Sequence, residues 1–358
     1  MKLGLILSKN IWFTPYVKIY TTVLEQHNID YEIISWNKDG TESNCGIQYQ
    51  KRLSDQSNNF KKFYYYYKYK RFLERTIKDR KYDKLIVFDA QLGIFLSNFL
   101  KKHYKNKYIF DYRDLSIEQK KIFKIPFYHA VENSYSTMIS SPGFKKCLPK
   151  NFNYIISHNF NIEHVKKALT ESSIPINKSP YLILTIGGIR DYSSNIEVVN
   201  ALANKQNFQL SFVGKGHAAE LIKSHAIKEN INNISFEGYY PKEKEKDYII
   251  DSSLINIFYP SIITHSTAIS NRFYNSLIFK RPMIVTKNST QGDFCEKYNL
   301  GLSIDNCNTL DTDIYSFFEN LDYNAFCTRC NNLLKEFLND YYIFERTICN
   351  FLNLHNKK

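Results

Sequence analysis

Short apolar runs alternate along this chain with longer segments whose apolar residues recur every three to four positions. In the first half, KLGLILS (2–8) and YEIIS (31–35) read as buried strands. Between them Val17, Tyr20, Val23 and Leu24 keep helical spacing. KLIVF (84–88), KYIFD (107–111), TMISS (137–141) and NYIIS (153–157) predict further strands, most of them separated by helical patterns. The second half repeats the rhythm with YLILTIG (181–187), FQLSFVG (208–214), NISFEG (233–238), LINIFY (254–259), PMIVT (282–286) and GLSI (301–304). Such alternation predicts parallel sheets covered on both faces. The expected fold class is therefore α/β: two doubly wound Rossmann-like domains facing a cleft, with ligands at the carboxyl ends of the strands. The boundaries expected are 1–160 for the first domain and 181–330 for the second. The polar stretch 161–180, with Pro175 and Pro180, reads as a linker. Residues 331–358 read as C-terminal helices that pack back towards the first domain.

Two segments break the rhythm. Residues 36–60 are polar and irregular. FKKFYYYYKYKRFLERTIKDRKYDK (60–84) follows, both basic and aromatic. Three readings are open for it: an ordinary amphipathic helix, an interfacial helix with lysines towards anionic lipid and tyrosines at headgroup level, or a base-stacking surface. No RNA- or DNA-binding signature accompanies it, so nucleic acid ranks last and peripheral membrane contact through 61–81 ranks above it.

The chain has 358 residues, with 48 Lys and Arg against 35 Asp and Glu, a formal charge of +13. That excess favours an anionic partner without choosing one. No secretory pattern is visible at the start, and the longest apolar candidate, 85–100, is interrupted by Asp89, Gln91 and Asn98. A cytoplasmic protein is expected, with peripheral contact at the cytoplasmic face of a membrane allowed. Seven scattered cysteines, Cys45 among them, argue against a disulfide framework. Cys327 and Cys330 have CxxC spacing but no second ligand pair, so two cysteines on one helix is the preferred reading.

The chemistry concentrates at strand exits in the second half. TIGGIRDYSSN (185–195) puts Gly187, Gly188 and Arg190 after one strand, and FVGKGH puts Gly214, Lys215 and Gly216 after the next. FEGYYP brings Tyr239 or Tyr240 within reach of a base ring. In ISNRFYNSLIFKRPMIVT (269–286), Ser270 caps a helix that stops before Pro282 and turns into a strand. Asn271 and Arg272 open that helix, and Asn275 lies one turn on. Glycine lets a ligand approach the backbone, arginine grips phosphate, and a helix N-terminus favours anions. Together these residues predict a site for a phosphate-bearing ligand. His265 is near the same corner, although a surface-loop histidine is the plainer reading. In the first half Asp89, at the end of LIVFD, and the Asp111/Asp114 pair are candidates to position or deprotonate a hydroxyl. The competing reading for Asp111 and Asp114 is an internal ion pair with Arg113. Asp311 and Asp313 read as a helix start rather than a metal motif.

These residues resemble the GT-B glycosyltransferases, in particular the retaining family four that builds bacterial capsule, O-antigen and other surface polysaccharides. The resemblance covers most of the chain and is strongest over 181–304. It implies that Gly187, Gly188, Arg190, Gly214, Lys215, Gly216, Tyr239, Ser270, Asn271, Arg272 and Asn275 bind a nucleotide-sugar donor, with Thr267 against the donor sugar. FDYRDL (110–115) is similar to the family's Asp-x-Arg-Asp segment, and His158 and Asn159 to its exit into the linker. Thr267 and Asn275 stand where the family carries two glutamates, and Asn195 stands where it carries a lysine. The resemblance implies a hexosyltransferase that needs no cofactor or metal beyond its substrate. The acceptor would be lipid-linked or a glycan, bound by the first domain. Two alternatives remain: a non-catalytic GT-B subunit partnering an active transferase, and a nucleotide-sugar epimerase.

Overall fold

The structure, a computed structural model, describes residues 1–41, 46–54, 56–177 and 179–354. Cys45 lies outside them. The chain divides into two compact units, Met1–Asn159 with Asp340–Lys358, and Phe160–Asn339.

The first unit contains β1 (Leu3–Ile6), α1 (Val17–Gln26), β2 (Tyr31–Trp36), β3 (Ile47–Tyr49), α2 (Asn59–Arg80), β4 (Lys84–Phe88), α3 (Ala90–His103), β5 (Tyr108–Tyr112), α4 (Lys124–Glu132), β6 (Ser136–Ile139) and β7 (Tyr154–Ile156). All strand pairs are parallel, in the order β3-β2-β1-β4-β5-β6-β7. Parallel strands buried on both faces read as unbroken apolar runs, which is why LGLI and LIVF carry so little polarity. Leu3, Leu5, Val17, Tyr20 and Phe88 form a core to which Phe344 and Ile348 also belong. The chain order turns back between β1 and β4, and Ser8, just beyond β1, donates its hydroxyl to Asp89, just beyond β4.

The second unit contains α5 (Ile162–Thr170), β8 (Tyr181–Ile186), α6 (Tyr192–Leu202), β9 (Phe208–Val213), α7 (His217–Lys228), β10 (Ile234–Glu237), α8 (Glu245–Asp251), β11 (Leu254–Ile257), α9 (Ile263–Thr267), α10 (Asn271–Ile278), β12 (Met283–Thr286), α11 (Thr290–Tyr298), β13 (Gly301–Ile304) and α12 (Leu310–Glu319). Its parallel sheet runs β10-β9-β8-β11-β12-β13. Two cores flank it. Ile186, Val213 and Ile257 belong to one, and Ile183, Leu210 and Phe212 to the other. The last long helix, α13 (Tyr323–Phe351), gives Phe326, Cys330 and Phe337 to this unit's core and Phe344 and Ile348 to that of the first unit.

Two local differences from the sequence reading, at β3 and at α5, have physical causes, and the two cysteines share one helix as expected. β3 lies inside the stretch expected to be irregular, and its three residues leave no periodic pattern to detect. Part of the expected linker is α5, capped by Asn161 and anchored through Val165, which is fully buried. Cys327 and Cys330 share α13; burial pushes the Cys330 thiol up to about 12, an inert state for sulfur.

Candidate functional site

The second sheet reverses direction between β8 and β11, the place where open α/β sheets hold ligands. A cavity of about 670 Å³ opens there. Gly187, Gly188, Arg190 and Asp191 line it from the exit of β8, Gly214 and Lys215 from β9, Tyr239 and Tyr240 from β10, and Tyr259 from beyond β11. Ser270, Asn271, Arg272 and Asn275 close it from α10. The strand exits approach so tightly that side chains are excluded. A Cβ on Gly214, whose φ is +127°, would lie 2.1 Å from the Gly187 carbonyl oxygen. A Cβ on Gly216 would meet the Ile189 carbonyl oxygen at 1.9 Å. Gly216 thus shapes the loop without reaching the cavity wall.

Arg272 differs from its sequence assignment. Its guanidinium is nearly buried and donates to the carbonyls of Ile186 (2.6 Å), Asn256 (3.3 Å) and Gly188 (3.0 Å). It ties α10 to the ends of β8 and β11, so its donors hold backbone. Arg190 is exposed, and Lys215 lies over the Tyr239 ring at 5.8 Å. Both line the opening, as does Lys242, whose ammonium is held by Glu245. Ser270 caps α10 by accepting from Phe273 N–H at 3.4 Å, and Gln291 Oε1 accepts from both its N–H (3.0 Å) and its hydroxyl (2.9 Å). Asn195, buried, donates to the Asp191 carbonyl at 2.5 Å and accepts from Asn256 at 3.1 Å. It therefore fixes the turn that carries Arg190. Thr267 is buried with its hydroxyl donating to the Ile263 carbonyl at 2.7 Å, away from the cavity lining.

The opposite wall is acidic and aromatic. Glu245, at the start of α8, accepts from Asn275 Nδ2 (2.9 Å), Tyr240 OH (2.9 Å) and Lys242 Nζ (2.6 Å). Burial and the Glu245 carboxylate push the Tyr240 phenol well above its ordinary range. His265 stacks on Tyr259 with centroids 5.2 Å apart, and its Nε2 lies 3.5 Å from Asp191 Oδ1. Glu245, Asp191 and Gln291 escaped the sequence reading. PKEKEKD around Glu245 has the composition of a solvated charge run, and nothing local marks it as a cavity wall. The cavity thus joins a glycine-lined side that bears Arg190, Lys215 and Asp191 to a side that bears Glu245, Asn275 and Lys242.

In the first unit Asp111 is fully buried and paired with Arg113 at 2.5 and 2.6 Å, with the Tyr20 hydroxyl donating to the same carboxylate. Burial opposes charge on both partners, and the Asp111 carboxylate outweighs it at Arg113, whose pKa is raised. The pair is internal, which favours the reading of Asp111 as the ion-pair partner of Arg113. Asp89 accepts from Tyr16 OH at 3.0 Å and from Ser8, and takes φ +70°, a backbone region that non-glycine residues avoid. Asp114 is exposed. Asp89 and Asp111 are neighbours, the Asp89 N–H donating to the Asp111 carbonyl at 2.9 Å, whereas Asp114 lies beyond the end of β5. Asp311 and Asp313 lie in the first turn of α12. Among the described residues no three His, Cys, Asp or Glu side chains converge as a metal centre.

No protein-family profile and no curated protein sequence matches the chain. Solved structures do. A sucrose-phosphate synthase from Thermosynechococcus elongatus aligns over 99% of this chain and 100% of its own, with a TM-score of 0.70 and 12% identity. This is the GT-B fold. The lipopolysaccharide outer core galactosyltransferase WaaB, in its apo form, aligns over 96% of this chain and 99% of its own (TM-score 0.67, 13% identity). Anabaena HepE in complex with UDP aligns over 99% and 100% (0.63, 10%). At such identities the likeness is one of fold.

Proposed function

We propose that this chain is a glycosyltransferase that takes a sugar from a nucleoside-diphosphate donor and passes it to a hydroxyl of a lipid-linked or glycan acceptor. The observation that carries the reading is the two-sided cavity at the β8/β11 reversal. Arg190, Lys215 and the N-terminus of α10 offer positive potential for a diphosphate, and the Glu245–Asn275 pair offers acceptors and a donor for sugar hydroxyls. Transfer breaks the bond between the sugar and the diphosphate, so charge grows on the leaving oxygen. Preorganised cations stabilise that charge without a proton transfer. HepE, of the same fold, was solved in complex with UDP, and a trehalose-6-phosphate protein from E. coli bound with UDP-2-fluoro glucose; both support a nucleotide sugar here.

The resemblance to family four supports a retaining outcome, a role in bacterial surface polysaccharide, and acceptor binding by the first unit. Asp89, set at that unit's own strand reversal, and the exposed Asp114 are its candidates for the acceptor hydroxyl. The proposed setting is the cytoplasmic side of a membrane, with peripheral contact; among the described residues no helix is long and apolar enough to cross one. Calorimetric titration with UDP, GDP and other nucleoside diphosphates, followed by turnover of the matching nucleotide sugars, tests the reading. Absence of binding to every nucleotide would overturn it.

A second reading has its own observation. Thr267 is buried and Asn275 is held by Glu245, so neither supplies the carboxylate that family four carries there. A non-catalytic subunit would show weak nucleotide binding and a stable complex with an active transferase. The His265–Asp191 pair also makes it worth analysing products formed without acceptor, where an epimerase would convert the nucleotide sugar itself.

A further inference from the structure

We infer that the first unit carries a composite docking face for an anionic lipid surface, built from the N-terminal half of α2 and the separate 120–125 segment. This goes beyond the donor cavity and does not depend on it.

Helix α2 has two apolar stripes. Tyr69, Leu73 and Ile77 form the one that packs into the unit. Phe60, Phe63, Tyr64 and Tyr67 form the other, at the i, i+3, i+4, i+7 spacing of one helix face, and all four are exposed, Phe60 to 90%. A globular core explains the first stripe and leaves the second without a role. The two stripes also divide the segment unequally. Beyond residue 68 the exposed positions include Arg71, Arg75, Lys78, Asp79 and Arg80, so the apolar part of the face is confined to the first two turns and a half.

A second element joins it. Phe95 on α3 stacks with Tyr66 at 5.3 Å and contacts Phe63 at 5.9 Å on one side and Phe123 at 6.5 Å on the other. Phe123 lies between Ile122 and Ile125, which are 77% and 69% exposed. The aromatic stripe and the two isoleucines are thus neighbours across Phe95, although some sixty residues apart in sequence.

Charge names the occupant. Residues 59–73 hold Lys61, Lys62, Lys68, Lys70 and Arg71 and no Asp or Glu; residues 119–131 hold Lys120, Lys121 and Lys124 and none either. Aromatic rings at headgroup depth, aliphatic tips that enter the acyl region and a ring of lysines complement a bilayer that bears negative headgroups. A nucleic acid would use the rings and the lysines, but Ile122 and Ile125 have no flat face on which a base can stack. A second copy of the chain would bring like charges together.

Flotation of the full chain with phosphatidylcholine vesicles, with and without phosphatidylglycerol, tests the inference. The chain is expected to float with the phosphatidylglycerol vesicles, less so as salt rises, and to stay behind with phosphatidylcholine alone. Phe60→Ser combined with Ile122→Ser leaves the charge intact and should lower partitioning roughly tenfold with thermal unfolding unchanged, because both residues are exposed. No flotation at low salt, or flotation that the double variant leaves unaltered, overturns the inference. So does concentration-dependent self-association, or RNA binding, that the double variant abolishes. Nucleotide titration without lipid is read separately, so failure of the docking face and failure of the transferase reading are distinguishable.

Discussion

Asn275 donates its side-chain amide to Glu245 at 2.9 Å, joining the first turns of α10 to the start of α8 on one wall of the cavity at the β8/β11 reversal. The carboxylate missing from the α10 position is therefore present in space, contributed by another helix. Glu245→Gln should weaken nucleoside-diphosphate binding about tenfold while the fold is retained. Asn275→Glu, which would restore the family-four pattern in sequence, should weaken binding as well, because it sets two carboxylates within hydrogen-bonding distance. Titration calorimetry on both variants checks this; tighter binding by Asn275→Glu would show that Glu245 does not fill the role.

Arg190 and Arg272 line the same cavity and should respond differently. Arg190→Ala is expected to lower nucleotide affinity by roughly ten- to a hundredfold, the worth of a charged hydrogen bond to phosphate, with an unchanged melting temperature. Arg272→Ala removes a buried cation from three carbonyls and should destabilise the protein by about 3 kcal/mol, measured by denaturant unfolding.

The glycines separate in the same way. Gly214→Ala forces a Cβ against the Gly187 carbonyl at a positive φ, so it should reduce both stability and nucleotide binding. Gly238→Ala meets nothing within 4 Å and should be silent in both assays.

His158 predicts a pH effect in the first unit. Burial lowers its pKa from the ordinary 6.5, against the opposing pull of the Asp340 carboxylate, which lies 3.0 Å from its Nε2 as a hydrogen-bond acceptor, and with a further lowering from Arg113. The folded state then prefers neutral imidazole, while the unfolded chain takes up a proton below about 6.5. Stability is fully present above that pH and falls as pH drops towards the folded pKa. His158→Gln should flatten this slope in unfolding measured from pH 7.5 to 5.

Every strand expected from the apolar runs exists, and in β1, β11 and β12 burial on both faces is written directly into consecutive residues. β3 did not announce itself: three half-buried residues at a sheet edge carry no period. The glycine turns at 187 and 214 were legible because only one residue type fits them. Arg272 was legible as a cation but not as a clamp, since its partners are carbonyls contributed by strands far away in sequence. Glu245 was hidden for the opposite reason. A glutamate among lysines looks like solvated surface until the fold turns Asn275 and Tyr240 towards it. Asp111 shows a third case, in which the residue was found and the choice between catalysis and an ion pair awaited Arg113's geometry.

The Arg272 clamp reaches beyond stability. With the carbonyls of Ile186, Gly188 and Asn256 fastened to one guanidinium, the strand exits behind the cavity are held in fixed register. Nucleotide capture should then involve little conformational ordering, and most of the binding free energy remains for the diphosphate itself.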